Sequence, residues 1–261
     1  MYIWNNQTLS KCSDQTCYPD LLQGKGIFET ILVKNHSCFF LWDDHIQRLR
    51  RGIEYLGQSL CIDCQRLYQA LSDCFFKENR KGFSRLNIFY LPEKGHLLIR
   101  IFPFQWPLQP ARLYMDNQYF RGNSPHYQLK TISRMENIVF QQLAKSHHCD
   151  DFLFIDNYHH ILETCLANIF FVRTDGVLET PSATHKPFLN GVLRNYLLNS
   201  QQLLDIECKE KTISVHSIAE YSQAFLTNGL RLVQPISSIG NCQYQNHDKG
   251  WALLEKILKS I

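Results

Sequence analysis

The stretch HYQLKTISRMENIVF, residues 126–140, holds a lysine where an apolar segment meets a helical pattern. The apolar positions that follow have the spacing of one helix face: Ile132, Met135, Ile138 and Val139. This pattern predicts an amphipathic helix that starts directly after Lys130. A solvated lysine at an element boundary is the ordinary interpretation, because lysine side chains are mostly exposed. The rest of the chain decides whether Lys130 has a chemical role.

The composition is that of a folded globular protein. Hydrophobic residues make up 44% and charged residues 20% of 261 residues, enough for one large or two modest domains. The net charge of +3 gives no reason to invoke nucleic acid or a membrane surface. No basic leader followed by an apolar stretch opens the sequence, and no apolar run is long enough for a membrane span. We therefore expect a cytoplasmic protein.

Cysteines are numerous, ten in all, but their spacing does not indicate a metal site. Only Cys61 and Cys64 form a C-x-x-C pair, inside a helical pattern. A zinc site would need a second close pair, and neither Cys74 nor the HHC at 147–149 is a good substitute. A redox pair would normally follow a strand inside a βαβ unit, which is not evident here. We therefore expect reduced thiols and no metal.

Strand and helix patterns alternate in the first hundred residues. Strands are predicted at residues 27–33, 38–42, 85–91 and 96–102, with hairpin turns at KNHS (34–37) and PEKG (92–95). A helix is predicted over 43–57, with Asp43 or Asp44 as N-cap and Gly57 at its end, and another over about 63–76.

Prolines then interrupt the pattern in PFQWPLQPAR, residues 103–112, and predict a linker at 107–111 between domains at 1–106 and 112–261. Beyond it we expect strands at 112–116, 152–155, 168–173 and 223–227, and helices that end near 147, at 189–199 and at 250–258. The predicted fold class is α/β (α+β), in two domains.

Several groups with the chemistry of a cofactor site follow one another along the chain. Glu163 lies between two short apolar strands, where a buried carboxylate needs a partner. Arg48 lies on the first predicted helix, and Asn190 and Gly191 open a later helix whose free amides form an anion site. Thr227, Asn228 and Gly229 end a strand with small polar groups of the kind that bind phosphate. A lysine, a carboxylate and phosphate-binding groups are what pyridoxal phosphate requires.

The order of these motifs resembles the class IV aminotransferase family, the fold type IV pyridoxal-phosphate enzymes. The matching stretches are GKGIFET (24–30), HIQRL (45–49), LKTISRMENI (129–138), ETCLANIFF (163–171), NGVLR (190–194) and TNGL (227–230). The resemblance implies a smaller N-terminal α/β domain, a larger C-terminal pseudobarrel domain, and a homodimer. The implied cofactor is pyridoxal 5'-phosphate, and the implied partner is a small-molecule substrate.

The resemblance also implies roles for single residues. Lys130 would be the Schiff-base lysine, and Glu163 the carboxylate on the pyridine nitrogen. Phosphate would be bound by the Arg48 side chain, the amides of Val192 and Leu193, and the turn formed by Thr227, Asn228 and Gly229. Aminotransferases often carry threonine where Leu193 stands, so only its amide can serve here. Where some relatives have a phosphate-binding hydroxyl this chain has Gly229, for which Asn228 or Thr227 can compensate.

Three activities stay open within this family. LKTISRMEN and TNGLRLVQP resemble 4-amino-4-deoxychorismate lyase, which forms 4-aminobenzoate and pyruvate for folate synthesis. The second is a D-amino-acid or branched-chain aminotransferase. The third, a weakly catalytic pyridoxal-phosphate-binding protein, is motivated by Lys25 in place of the usual aspartate, by Gly229, and by the short stretch IFYLPEKGHL (88–97).

Overall fold

The computed structural model describes residues 1–12, 23–35, 37–60, 62–107, 109–184 and 186–261. They form two compact units. The first contains Met1–Gln105, Leu129–Arg134 and Ile261, and the second contains Trp106–Gln128 and Met135–Ser260. The chain thus crosses to the second unit after Gln105 and returns to the first for the short segment that includes Lys130. The predicted domain limits of 1–106 and 112–261 place that segment in the second domain, and they stay a prediction.

The first unit is an antiparallel sheet with two helices. Its strands are β1 (Tyr2–Trp4), β2 (Leu9–Lys11), β3 (Ile27–Lys34), β4 (Cys38–Phe39), β5 (Phe83–Leu91) and β6 (His96–Pro103), in the order β2-β1-β6-β5-β3-β4. The helices are α1 (Trp42–Tyr55) and α2 (Cys64–Lys77). Each helix buries a stripe with helical spacing in the shared core, such as Ile46, Leu49 and Ile53 on α1. The predicted turn at 92–95 is confirmed, because Leu91 pairs with His96 across it.

Two predicted boundaries in this unit are wrong. The predicted strand at 38–42 ends at Phe39, and α1 begins at Trp42 rather than after an aspartate cap. Leu41 precedes the helix with a left-handed backbone, φ 52°, and no side chain in the described part of the chain caps the first turn. Asp43 and Asp44 lie inside that turn, where their charges favour the helix dipole. His36 of KNHS and Cys61 of the C-x-x-C pair lie outside the described residues.

The second unit is a mixed sheet flanked by helices. Its strands are β7 (Ala111–Tyr114), β8 (Asp151–Ile155), β9 (Ile161–Thr164), β10 (Asn168–Val172), β11 (Leu178–Pro181), β12 (Cys208–Lys211), β13 (Gln223–Asn228), β14 (Leu232–Ile239) and β15 (Cys242–Gln243). Its helices are α3 (Met135–Ser146), α4 (Val192–Asn199), α5 (Gln201–Leu204) and α6 (Asp248–Ser260), with 3-10 turns at Pro125–Gln128 and Val215–Glu220.

The sheet of the second unit curls into a half-barrel. Its order is β12-β11-β10-β13-β14-β7-β8-β9, with β15 on β14, and the terminal strand β9 packs against β10 and β11. The apolar side chains of β8 and β10 form much of its core. This mixed α+β architecture confirms the predicted fold class.

The predicted helix directly after Lys130 is also wrong. Helix α3 begins at Met135, and residues 130–132 instead pair with β3. The apolar stripe is not a core face either, since Met135 is 69% exposed and Ile138 and Val139 are each 52% exposed. Periodicity found the helix, but pairing with β3 competes for its first residues. Similarly, Glu163 lies within strand β9 rather than between two strands.

Candidate active site

Lys130 is fixed by main-chain hydrogen bonds to the start of β3. The Phe28 amide donates to the Lys130 carbonyl at 2.9 Å, and the Ile132 amide donates to the Gly26 carbonyl at 3.0 Å. Within the described ranges strand β4 pairs with Val33 and Lys34 at the far end of β3, which leaves this part of the edge to the lysine segment. The lysine therefore occupies a sheet-edge position whose backbone is rigidly held.

Gly26 permits this close approach. Its φ is 123°, and a Cβ there would lie 2.4 Å from the Tyr90 carbonyl oxygen and 2.7 Å from the Ile132 side chain. No L-residue with a side chain fits both the backbone and the space. The second glycine of GKGIFET is thus required to seat the lysine segment.

The Lys130 ammonium group faces an aromatic ring. Its Nζ lies 4.5 Å from the centre of the Phe28 ring, and Phe28 stacks on Phe89 at 5.7 Å. Phe28 is buried, at 6% exposure, so the ring is a fixed wall beside the lysine. A cation over an aromatic face is favourable, and the wall excludes water on that side.

Arg48 is held by a buried carboxylate on the same strand. Glu29 accepts from Arg48 Nε and from Nη2, each at 2.7 Å, and its Oε2 lies 2.7 Å from His45 Nδ1. Burial alone would raise the pKa of Glu29, but Arg48 and His45 outweigh it and hold that pKa at about 2. Burial lowers the pKa of His45, so its ring is neutral and donates through Nδ1. Glu29 thus fixes the orientation of the Arg48 guanidinium group.

Glu163 is paired with an arginine that the sequence analysis did not identify. Arg121 Nη1 donates to Glu163 Oε1 at 2.9 Å, and both side chains are almost fully enclosed. The Arg121 guanidinium also lies 3.5 Å from the Phe154 ring centre and 4.5 Å from that of Tyr127. A buried carboxylate needs such a partner to stay ionised.

Asn168 links Glu163 to the start of α4. Its Nδ2 donates to the Leu189 carbonyl at 2.8 Å and lies 3.5 Å from Glu163 Oε2, while its Oδ1 accepts from the Gly191 amide at 3.1 Å. A Cβ on Gly191 would stand 2.2 Å from that oxygen, so only glycine fits. One asparagine thus fixes the carboxylate and the helix start together.

The N-terminus of α4 presents the amides of Val192 and Leu193. Among the described residues no side chain caps this helix, whose N-cap is Gly191, and first-turn amides have no intrahelical acceptor. Arg194 stabilises this helix start, because it donates to Asn190 Oδ1 and to the Pro181 carbonyl and pairs with Glu210. The free amides and the helix dipole favour an anion at this point.

Thr227 is the residue of the TNGL turn whose side chain fits a phosphate. It lies opposite Asn168 across β10 and β13, so the two side chains share one sheet face. Thr227 is 1% exposed, and its hydroxyl has no hydrogen-bond partner among the described residues. A buried hydroxyl without a partner costs free energy unless a ligand satisfies it.

The side chain of Asn228, by contrast, is already hydrogen-bonded within the turn. Its Oδ1 accepts from the amides of Leu230 and Arg231 at 3.0 and 2.7 Å, and its Nδ2 donates to the Leu166 carbonyl at 3.2 Å. Of the two residues proposed to compensate for Gly229, the geometry therefore favours Thr227. Gly229 lies in the turn that Asn228 stabilises.

The predicted site residues divide between the two units. Lys130 and Arg48 lie in the first unit, both anchored on β3. The second unit holds Glu163, Val192, Leu193, Thr227, Asn228 and Gly229. Sequence reasoning missed Glu29, Arg121 and Asn168. Glu29 in GKGIFET and Asn168 in ETCLANIFF both lie within matching motifs that could have indicated them, whereas Arg121 lies in none of these motifs and depends on tertiary contacts.

The donor set of the second unit fits pyridoxal phosphate. The orphan Thr227 hydroxyl and the α4 amides suit a phosphate, and the Glu163 carboxylate suits a protonated pyridine nitrogen. Within the described part of the chain, no cluster of three or more His, Cys, Asp or Glu side chains could hold a metal ion. No helix in the same residues is long and apolar enough to cross a bilayer.

Comparisons with known proteins agree with this geometry. The family model for amino-transferase class IV matches residues 26–239. A "probable branched-chain-amino-acid aminotransferase" of Rickettsia conorii is 34% identical over 82% of this chain and 77% of its own length. Aminodeoxychorismate lyase of Bacillus subtilis is 23% identical over 85% of this chain and 80% of its own. A Legionella pneumophila structure, provisionally named a 4-amino-4-deoxychorismate lyase, superposes with a TM-score of 0.85 at 24% identity, covering 95% and 97% of the two chains.

The fold and the donor set define a pyridoxal-phosphate enzyme of fold type IV, as the sequence predicted. The chain belongs to the class IV aminotransferase family, because the family model covers most of it. Its cofactor is pyridoxal 5'-phosphate, which this family uses. The particular reaction and the role of each site residue are proposals.

The unpaired Thr227 hydroxyl yields a prediction about cofactor affinity. Thr227→Val keeps the shape and removes the hydroxyl, so the apoprotein should keep its stability while the dissociation constant for pyridoxal phosphate rises about 10-fold or more. The matched control is Thr180→Val, because the buried Thr180 hydroxyl donates to the Ile169 carbonyl at 2.8 Å. That variant should lose stability and keep its affinity. Unchanged cofactor binding by Thr227→Val, measured by titration of the apoprotein, would remove Thr227 from the phosphate site.

Proposed function

We propose that this protein is a pyridoxal-phosphate-dependent lyase that converts 4-amino-4-deoxychorismate to 4-aminobenzoate and pyruvate, in folate biosynthesis. The observation that carries the proposal is the aromatic wall beside Lys130. Phe28 stacks on Phe89 and presents its ring, without a hydroxyl, to the lysine ammonium group. A flat apolar surface suits a six-membered ring that becomes aromatic during the reaction.

The phosphate contacts support the same assignment. Leu193 offers only its amide, and the Asn228 side chain is occupied within its own turn. A transaminase must hold free pyridoxamine phosphate between its half-reactions, whereas a lyase keeps the cofactor in the aldehyde form. In the TNGL turn, Thr227 supplies the one buried hydroxyl for the phosphate. This small number of contacts is compatible with a lyase, which does not have to hold free pyridoxamine phosphate.

The roles of the residues follow from their positions. When bound, the cofactor supplies an electron sink for the carbon that carries the substrate nitrogen. Lys130 Nζ would hold the cofactor and, once the substrate amine takes its place, would remove the proton from that carbon. A positioned base of this kind contributes about 10²–10⁴-fold. The C–O bond to the enolpyruvyl group would break as the ring becomes aromatic, and the released enolpyruvate would take up a proton to become pyruvate. Glu163 keeps a proton on the pyridine nitrogen.

An aminotransferase is the second candidate. Rickettsia conorii and Rickettsia typhi proteins named as probable branched-chain-amino-acid aminotransferases are 34% and 36% identical to this chain, more than the Bacillus subtilis lyase at 23%. Overall identity does not weigh the side chains beside Lys130, and those favour the lyase. The two candidates differ in whether the cofactor leaves the aldehyde form during turnover.

The reaction assay separates the two candidates. Purified holoprotein given 4-amino-4-deoxychorismate should release equal amounts of 4-aminobenzoate and pyruvate without any added keto acid. With D-alanine or leucine, the visible spectrum of the cofactor should drift only slowly toward that of pyridoxamine phosphate. Rapid, complete conversion by either amino acid, with no 4-aminobenzoate formed, would establish the aminotransferase instead.

We also propose that the protein is a homodimer, as its family resemblance implies. The support is the exposed apolar face of α3, formed by Met135, Ile138 and Val139. Three large apolar side chains on one helix face are typical of an association surface rather than of scattered surface residues. A second copy of the chain is the proposed occupant. The expected cytoplasmic location stays a prediction.

The homodimer is testable by light scattering at micromolar concentration. Wild-type protein should have twice the mass of one chain, and Ile138→Lys should shift it toward the monomer, because burying an unpaired charge in an apolar interface is costly. Leu203→Lys is the control, since Leu203 is 75% exposed and lies on a different helix. A wild-type monomer with full activity would refute the proposal.

A further inference from the structure

Arg121 is shared between two carboxylates. Its Nη1 lies 2.9 Å from Glu163 Oε1, and its Nη2 lies 3.0 Å from Glu136 Oε2. Only 1% of the Arg121 side chain is exposed, and its guanidinium lies between the rings of Phe154 and Tyr127. To break its contact with either carboxylate, the guanidinium would have to lose its packing against these two rings.

Glu136 is itself held by two phenols. The hydroxyls of Tyr119 and Tyr127 donate to Glu136 Oε1 at 2.6 and 2.9 Å. Burial, followed by these hydrogen bonds, raises the pKa of both tyrosines, so both remain protonated donors. Glu136 thus accepts two phenolic hydrogen bonds and forms one ion pair with Arg121.

The charges of this group decide what Glu163 can do. If Arg121 and Glu163 stood alone, the cation would cancel the carboxylate, and a pyridine nitrogen beside them would meet a neutral pair. A second carboxylate on Arg121 gives the group a net negative charge. A negative charge nearby favours the protonated form of a base. The net charge of the three side chains therefore determines how strongly they favour the protonated pyridine nitrogen.

We propose that Glu136 is a positioning residue that neutralises Arg121 and thereby leaves the negative charge of Glu163 available to the protonated pyridine nitrogen. The inference rests on the proposed role of Glu163. In this proposal Glu136 makes no contact with the cofactor and acts by neutralising the charge of Arg121. Loss of its charge should therefore weaken pyridine protonation even where the cofactor still binds.

Cys165, which interacts electrostatically with Arg121, does not supply this charge, because burial raises the pKa of its thiol and keeps it neutral. Among the described residues, the carboxylates that form ion pairs with Arg121 are Glu163 and Glu136. Glu136 is therefore the residue whose substitution tests the effect of this charge on the pyridine nitrogen.

The test measures pyridine protonation directly. Pyridoxal phosphate labelled with ¹⁵N in the ring is bound to each variant, and the ¹⁵N chemical shift is followed against pH. Glu136→Gln should lower the pH at which the nitrogen loses its proton by about one unit or more relative to wild type. Glu136→Asp, which keeps the charge, should recover much of the loss.

Charge and structure are separated by two further variants. Arg121→Gln should raise the pH of deprotonation, because the group then carries two negative charges. The double variant Glu136→Gln with Arg121→Gln should return close to wild type, although its structure is the most altered. Under a purely structural role, Arg121→Gln would lower the value and the double variant would be lowest. If Glu136→Gln does not fold, the direction of the shift in Arg121→Gln alone decides.

A matched control is Glu179→Gln. Glu179 is also buried, accepts from Tyr221 at 2.6 Å and pairs with Lys211, so its loss disturbs the unit comparably. It should leave the ¹⁵N titration unchanged. A protonated nitrogen in wild type with no change in Glu136→Gln would overturn this inference and leave the proposed function intact. A wild-type nitrogen without its proton would overturn the role of Glu163 as well.

Discussion

Two main-chain hydrogen bonds between residues 130–132 and the start of β3 are the constraint on which the candidate active site depends. They place Lys130 on the first unit although the residues on either side of its segment belong to the second. Strand β3 also carries Phe28, which faces the lysine, and Glu29, which fixes Arg48. Because successive residues of a strand point to opposite faces, Phe28 can contact Lys130 on one face of β3 while Glu29 binds Arg48 on the other. Gly26 makes the approach sterically possible.

Buried charge is handled differently in the second unit. Glu163, Arg121 and Glu136 form a charged chain in which every carboxylate has a cationic partner, and Asn168 ties its end to the start of α4. Such groups are expensive to bury, and replacing them by apolar side chains is often neutral or stabilising in other proteins. Their presence is therefore better explained by chemistry at a site than by stability. The unpaired Thr227 hydroxyl supports the same conclusion.

The sequence predicted the parts of the site that motifs carry and missed those that tertiary contacts create. Lys130, Glu163 and the Asn190–Gly191 helix start were predicted as site residues because their order along the chain is distinctive. Arg121 had no such signal, because a lone arginine in a loop is ordinarily exposed and only packing against Phe154 reveals its burial.

Element boundaries failed for a related reason. The apolar stripe from Ile132 to Val139 has helical spacing, yet its first residue is taken by β3 and the rest is exposed. Periodicity reports which residues share a face but not what covers that face. Likewise, nothing local marks Leu41 for a left-handed backbone, which is uncommon for a bulky residue, so the start of α1 could not be placed.

We propose that Lys130 binds the cofactor covalently, and borohydride reduction of the holoprotein tests this most directly. Borohydride makes the bond between lysine and pyridoxal phosphate permanent, and peptide mapping by mass spectrometry then locates it. We expect one labelled peptide, the one that contains Lys130, and no label in Lys130→Ala. A label on any other lysine of the wild-type protein would contradict it.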